Sequence, residues 1–336
     1  MRKNPTNLLR QLLLLVASAT LSSCAGFGAD GDAYQKLERL RVLAVRSDPA
    51  DLNFGETATL SANVYEPASH ELSYAWSWCP SRADSSGAFE CNLSEQDLQR
   101  VWTAAGLDSS PPIYTLGTDP EVELTNVLAP SVVTALCQSR TGDASLDERL
   151  ALACFKGLEA SIEFTVRSSE AEITAIKSVP LLMGETPASE RNKNPISNFD
   201  VTLRDEAGGI VASDQPLQVG HRYIATADVD VSNAESFVPR ASIGEPSPGA
   251  RRETMVMSWF VTVGELFAPD GTHAIGGDNE PTTFVDGSND FKNLLENGWK
   301  IPLTAGANAE LRLVLRDERG GVGWTTRSFA VVGGEK

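Results

Sequence analysis

The stretch Leu72-Ser73-Tyr74-Ala75-Trp76-Ser77-Trp78-Cys79 decides the fold. Leu72, Tyr74, Trp76 and Trp78 alternate with Ser73, Ala75 and Ser77, so every second side chain points to one face, the period of a strand. Two tryptophans on one face need a deep apolar layer, and two sheets packed about 10 Å apart supply it. The same alternation flanks this stretch, in Leu60, Ala62 and Val64 and in Ile162, Phe164 and Val166. It returns later in Phe199, Val201 and Leu203, in Ala225, Ala227, Val229 and Val231, and in Met257, Trp259, Val261 and Val263. Leu311, Leu313 and Leu315, then Phe329 and Val331, close the series. An all-β chain is expected.

The two halves overlay. Leu52-Asn53-Phe54-Gly55 running to Val64 matches Leu217-Gln218-Val219-Gly220 running to Val229, a shift of 165 residues. Phe164-Thr165-Val166 and Phe329-Ala330-Val331 are separated by the same 165 residues, which points to a tandem duplication. The segment Phe54-Gly55-Glu56 to Val64, followed by Tyr74-Ala75-Trp76-Ser77-Trp78, resembles bacterial immunoglobulin-like domains, including the polycystic-kidney-disease (PKD) type. Ser77-Trp78-Cys79-Pro80 stands where PKD domains carry Asp-Phe-Gly-Asp-Gly. The resemblance implies two tandem Ig-like β-sandwich domains, over 37–182 and 183–336, with Trp76 and Trp259 in their cores. Residues 183–198, polar with Pro187 and Pro195, read as a linker or an early loop.

Residues 92–157 do not alternate and are expected to form a small helical insertion in the first domain. Ser94 with Asp97 opens one helix, carrying Leu98, Val101 and Trp102, and Gly106 ends it. Ser131–Gln138 is a second, starting after Pro130. Ser145 with Glu148 reads as the capping box of a third, closed by Gly157. Long loops are expected near 232–254 and 267–290.

Arg2, Lys3 and Arg10 precede the apolar run Leu12 to Leu21, the layout of an export signal over residues 1–23. Leu21-Ser22-Ser23-Cys24 resembles the lipobox of bacterial lipoproteins. The resemblance implies a diacylglycerol on the Cys24 thiol, cleavage before it and a lipidated tether over 24–36. Several acyl chains bury enough methylenes, at about 0.8 kcal/mol each, for stable membrane attachment. Ala25, in place of an Asp after the cysteine, implies the outer membrane, facing either the periplasm or the cell exterior.

Four cysteines remain, Cys79, Cys91, Cys137 and Cys154, and an even number in an exported chain implies two disulfides. Of three pairings, Cys79–Cys91 and Cys137–Cys154 each close a short local loop. The net charge of −17 argues against nucleic acid as a partner, because phosphate binding needs clustered positive charge. His70, His221 and His273 are scattered, and neither a nucleophile elbow nor a nucleotide-binding glycine loop occurs. A catalytic set, a metal and a cofactor are therefore not expected. The one cation reading is calcium at loop carboxylates, Asp228 with Asp230, or Asp278, Glu280, Asp286 and Asp290. The function expected is that of a non-enzymatic envelope lipoprotein, structural or adhesive, holding a protein or glycan through loops and the helical insertion. The alternative is a carbohydrate-binding or accessory module of an envelope enzyme system.

Overall fold

The alternation at 72–79 folds as a strand whose tryptophans sit 1% and 3% exposed between two sheets. The computed structural model describes residues 35–82, 89–156, 159–182, 186–187, 190–238, 249–267, 283–285, 295–304, 306 and 308–333. The first half comprises β1 (Arg41–Asp48), β2 (Thr57–Tyr65), β3 (Ser73–Cys79), α1 (Glu95–Ala104), β4 (Thr115–Gly117), β5 (Val122–Thr125), α2 (Pro130–Gln138), α3 (Ala144–Lys156), β6 (Glu159–Arg167) and β7 (Glu172–Pro180). The second comprises β8 (Val201–Asp205), β9 (Ile210–Val211), β10 (Leu217–Gln218), β11 (Arg222–Ala227), β12 (Ser236–Phe237), β13 (Arg251–Arg252), β14 (Met255–Val261), β15 (Glu265–Phe267), β16 (Thr283–Val285), β17 (Glu296–Lys300), β18 (Asn308–Asp317) and β19 (Val322–Val332).

Each half is a sandwich. In the first, the sheet β1-β2-β5 faces β4-β3-β6-β7. In the second, β15-β17-β11-β8-β9 faces β10-β19-β18-β14-β16. The two repeat one plan: β8-β11-β17 has the connectivity of β1-β2-β5, and β16-β14-β18-β19 that of β4-β3-β6-β7. Apart from the parallel pair β10–β19, the strand pairs are antiparallel, and the arrangement is immunoglobulin-like. Trp76, Phe164 and Leu60 lie in one core; Trp259, Trp299 and Leu313 lie in the other.

The pairing registers correct one part of the overlay. Gly55 and Gly220, both at φ +80°, start equivalent strands β2 and β11, so the shift of 165 holds there. Trp76 pairs with Phe164 and Trp259 with Leu313, so the structural counterpart of Phe164 is Leu313, not Phe329. Phe329 lies on β19, the counterpart of β7. The shift changes along the chain because the insertion lengthens the first half between β3 and β6. The repeat is real in topology, and the second 165-residue match is coincidental.

The insertion is less purely helical than the sequence reading had it. β4 and β5 fall inside 92–157 and belong to the sheets, β4 on β3 and β5 on β2. Val122 and Leu124 are buried and alternate with Glu123, over too short a run to have stood out. α1 starts as expected, with Ser94 Oγ accepting from Asp97 N at 3.1 Å. α2 starts one residue earlier than expected, with Pro130 in its first turn, where a missing N–H costs nothing. α3 is capped by Asp143, not by Ser145: Asp143 Oδ1 accepts from Ser145 N at 3.1 Å and Leu146 N at 3.2 Å. A carboxylate meets the helix dipole better than a hydroxyl. Leu98, Val101, Trp102, Val133, Leu136, Leu146 and Leu150 all join the first core, so the helices cap the sandwich.

The end of the expected tether and the segment read as a linker or early loop are both tied down. Gln35 and Lys36, assigned to the tether, pair in parallel with Val261: Leu37 N donates to Val261 O at 2.8 Å and Val261 N to Gln35 O at 2.9 Å. The edge of β14 there offers unpaired backbone groups, and this segment covers them. The linker is bonded to both halves, with Asn192 only 5% exposed.

Candidate functional site

The outer face of the sheet β19-β18-β14 is not left to solvent. On β14, Trp259 and Met257 enter the second core while Phe260 turns the other way. On β18, Val314 does the same between Arg312 and Arg316. Phe260, Val314 and Val322 meet Leu37, Leu43 and Ala44 from the first half, flanked by Tyr65 and Trp324. A large apolar side chain fully buried is worth about 1.5–3 kcal/mol. A bulge in β1 at Leu43 brings Leu43 and Ala44 together onto this face.

The arginines bridge the halves around this patch. Arg312 Nη1 donates to Val64 O at 3.1 Å and Asn63 Oδ1 at 3.3 Å, with its guanidinium over the Tyr65 ring. Arg316 donates to Leu43 O at 2.6 Å and to Ser258 Oγ at 2.8 Å. Arg191 of the linker donates to Asp51 Oδ1 at 2.8 Å and Glu56 Oε1 at 2.7 Å. Asn194 Nδ2 donates to Ser47 O at 2.7 Å and its Oδ1 accepts from Val322 N at 3.0 Å.

The centre of this junction is the β18–β19 hairpin tip, Asp317-Glu318-Arg319-Gly320-Gly321. Asp317 Oδ1 accepts from Arg319 N at 2.9 Å and Gly321 N at 2.7 Å. Gly320, at φ +97°, takes the left-handed position such a turn requires. The backbone approach is close: a Cβ on Gly323 would lie 2.2 Å from Ile196 O. Lys177 of β7 donates to Gly320 O across the junction. Arg319 pairs with Glu253, which is fully buried, and with Glu235 at 2.6 Å. Burial pushes the carboxyls of Asp317 and Glu253 above their ordinary range and pushes the Lys177 amine down to about 8. Lys177, Arg316, Asp317, Gly320 and Gly321 line a half-open cavity of ≈ 250 Å³.

The tip has a twin. Leu315-Arg316-Asp317-Glu318-Arg319-Gly320-Gly321-Val322 repeats Leu203-Arg204-Asp205-Glu206-Ala207-Gly208-Gly209-Ile210 almost residue for residue. Asp205 Oδ1 makes the same bonds, to Ala207 N at 3.0 Å and Gly209 N at 2.8 Å. One hairpin is plugged into the junction and the other stands in solvent. This repeated Arg-Asp-Glu-x-Gly-Gly signal was available in the sequence and marks both turns.

The residues singled out by sequence are distributed as follows. Cys79 is bonded to Cys91 and Cys137 to Cys154, with Cα–Cα distances of 6.0 and 5.8 Å. The first staples the end of β3 to the segment before α1; the second ties α2 to α3. Cys24, His273, Asp278, Glu280, Asp286 and Asp290 lie outside the described residues. Asp230 is used locally, accepting from Ser232 N at 2.7 Å, and Asp228 is exposed. Among the described residues no group of three His, Cys, Asp or Glu side chains converges to hold a metal. His70 Nδ1 lies 3.1 Å from Glu66 Oε1, and His221 is exposed. A second groove, of ≈ 790 Å³, is lined by Lys36, Glu38, Glu265, Lys300, Pro302 and Leu303.

No known protein family and no curated protein matches the chain. Solved structures similar to it include dimeric latent PorU from Porphyromonas gingivalis (11% identity, TM-score 0.20), with 89% of this chain and 24% of that one covered. The Yersinia pseudotuberculosis adhesin InvE is 10% identical over 85% of this chain and 58% of its own, TM-score 0.17. Murine CEACAM1b is 7% identical over 86% and 98%, TM-score 0.19. The chain thus spans about a quarter and somewhat over half of the first two.

Proposed function

We propose that the chain is a non-enzymatic, lipid-anchored protein of the bacterial outer membrane. Its two sandwiches act as a rigid spacer that holds the disulfide-bonded helical cap and the sandwich loops toward a protein partner. The observation that carries this reading is the junction. A flexible tandem is joined by a solvated linker and a small polar interface. Here an apolar patch, three arginine bridges and a plugged hairpin fix one half on the other. The anchor rests on Leu21-Ser22-Ser23-Cys24. The two disulfides suit an exported chain.

The carbohydrate-binding alternative needs aromatic rings laid open on a sheet face. Trp76, Trp78, Trp102, Trp259 and Trp299 are each 3% exposed or less, and Trp324 packs in the junction. That leaves all six tryptophans committed to packing.

Protease shaving of intact cells, followed by cross-linking and mass spectrometry, tests the proposal. Expected is a lipid-dependent membrane fraction and cross-links from the helical cap to a single protein partner. A soluble, unlipidated protein, or cross-links confined to the spacer, defeats it.

A further inference from the structure

We propose that Lys177 is a carbon dioxide-reactive lysine that carries a carbamate within the junction cavity. Three features of the cavity lead there, and none depends on the lipid anchor. First, Lys177 Nζ stands on the wall of a ≈ 250 Å³ space, large against a three-atom guest. Second, its hydrogen bond to Gly320 O needs one N–H, and a carbamate nitrogen keeps one. Third, the charged groups lining the space are Lys177 itself, Arg316 and Asp317, and the Arg316 cation can balance a new anion. Asp317 Oδ2 is buried with no hydrogen-bond partner among the described residues.

The step balances. The Nζ lone pair attacks the carbon of CO₂ and forms the N–C bond, while one C=O π pair moves onto oxygen. Nζ loses a proton, which passes to water through the open side of the cavity. The new carbamate anion gains Arg316, the cation lining the same cavity, as counter-charge. Nothing is oxidised or reduced.

The reaction requires a neutral amine, and burial supplies it, holding Lys177 near 8 against an ordinary 10.5. At neutral pH that is on the order of 300-fold more neutral amine than a solvated lysine has.

The test uses the full chain with disulfides intact, in ¹³C-bicarbonate at pH 7.5, trapped with triethyloxonium and mapped by peptide mass spectrometry. Expected is a labelled ethyl carbamate at Lys177, at least 50-fold above Lys36, Lys193 and Lys300, in line with the neutral-amine ratio. The label should fall in Arg316→Gln and vanish in Lys177→Arg. Because the first comparison is made within the parent protein, a variant that fails to fold does not affect it. Equal labelling of all four lysines, or none at Lys177, overturns the proposal. So does fast acetylation of Lys177 by acetic anhydride with no carbamate, which would mark a reactive amine without a carbon dioxide site.

Discussion

Replacing Gly323 by Ala places a methyl group where the linker backbone already runs. The added Cβ would lie 2.2 Å from Ile196 O and 2.6 Å from Pro195 O, an overlap of about 1 Å. Those oxygens cannot swing away as a side chain end would. Ile196 N donates to Asn233 Oδ1 at 2.8 Å, and Asn198 N donates to Trp324 O at 2.8 Å, pinning the segment on both sides. Forcing extra volume into such a site costs about 1–3 kcal/mol, and each hydrogen bond lost adds about 1 kcal/mol. A total of about 2–4 kcal/mol is expected. Gly209→Ala in the twin hairpin is the control, because its Cβ meets only side-chain atoms of Asp205, the nearest at 3.0 Å, and no backbone. Its cost should stay within about 0.5 kcal/mol. Urea unfolding and calorimetry measure both. The parent should unfold in one transition, and Gly323→Ala in two, the junction having opened while each core stays intact. The reasoning fails if Gly323→Ala unfolds like the parent, or if Gly209→Ala costs as much.

Four further outcomes follow from named groups. Converting Cys137 and Cys154 to Ser opens a loop with a sequence separation of 17 and should cost about 3 kcal/mol; unchanged hydrogen exchange in α2 and α3 would refute the clamp. Lys177 has a lowered pKa in the folded chain, so between about 8 and 10.5 the unfolded chain holds more protons and stability rises with pH. Lys177→Met should lose that rise, and equal pH slopes in urea titrations from pH 8 to 10.5 would count against the buried amine. Acrylamide should quench the tryptophans poorly, and soluble oligosaccharides should leave their emission unchanged; a large glycan-dependent shift would bring the carbohydrate reading back. Cys24→Ala should leave an unlipidated precursor, and continued labelling by a palmitate analogue would remove the anchor.

Strands and cores were legible because alternation is a local signal. Leu60, Trp76, Phe164, Trp259 and Leu313 sit in the cores where their period places them. The disulfide partners were legible because both loops are short. The junction was not. It is made by residues on the nominally outward face of β14 and β18, where Phe260 and Val314 stand among serine and arginine. On a sequence, scattered apolar residues of that kind are ordinary on any surface. What distinguishes them is a facing patch, Leu43 and Ala44, more than 200 residues away and dependent on a bulge. The Asp143 cap was missed because Ser145 and Glu148 fit a familiar spacing, whereas geometry favoured the charged group two residues earlier. The twin hairpins show a signal present in the sequence and passed over, because a short polar motif rich in glycine reads first as an ordinary turn.

The pairing of residues 35–37 with Val261 has a mechanical side. The chain arriving from the amino-terminal end touches the second sandwich before it begins the first. Tension applied through that end is delivered to β14, a strand of the second sandwich far along the chain. It is resisted by β14's backbone bonds to β18 and by the patch around Phe260, not by the first strand of the first sandwich. A pull would therefore strain both halves together, as a keyed joint does, and a single short contact of three residues would set the force at which the molecule begins to yield.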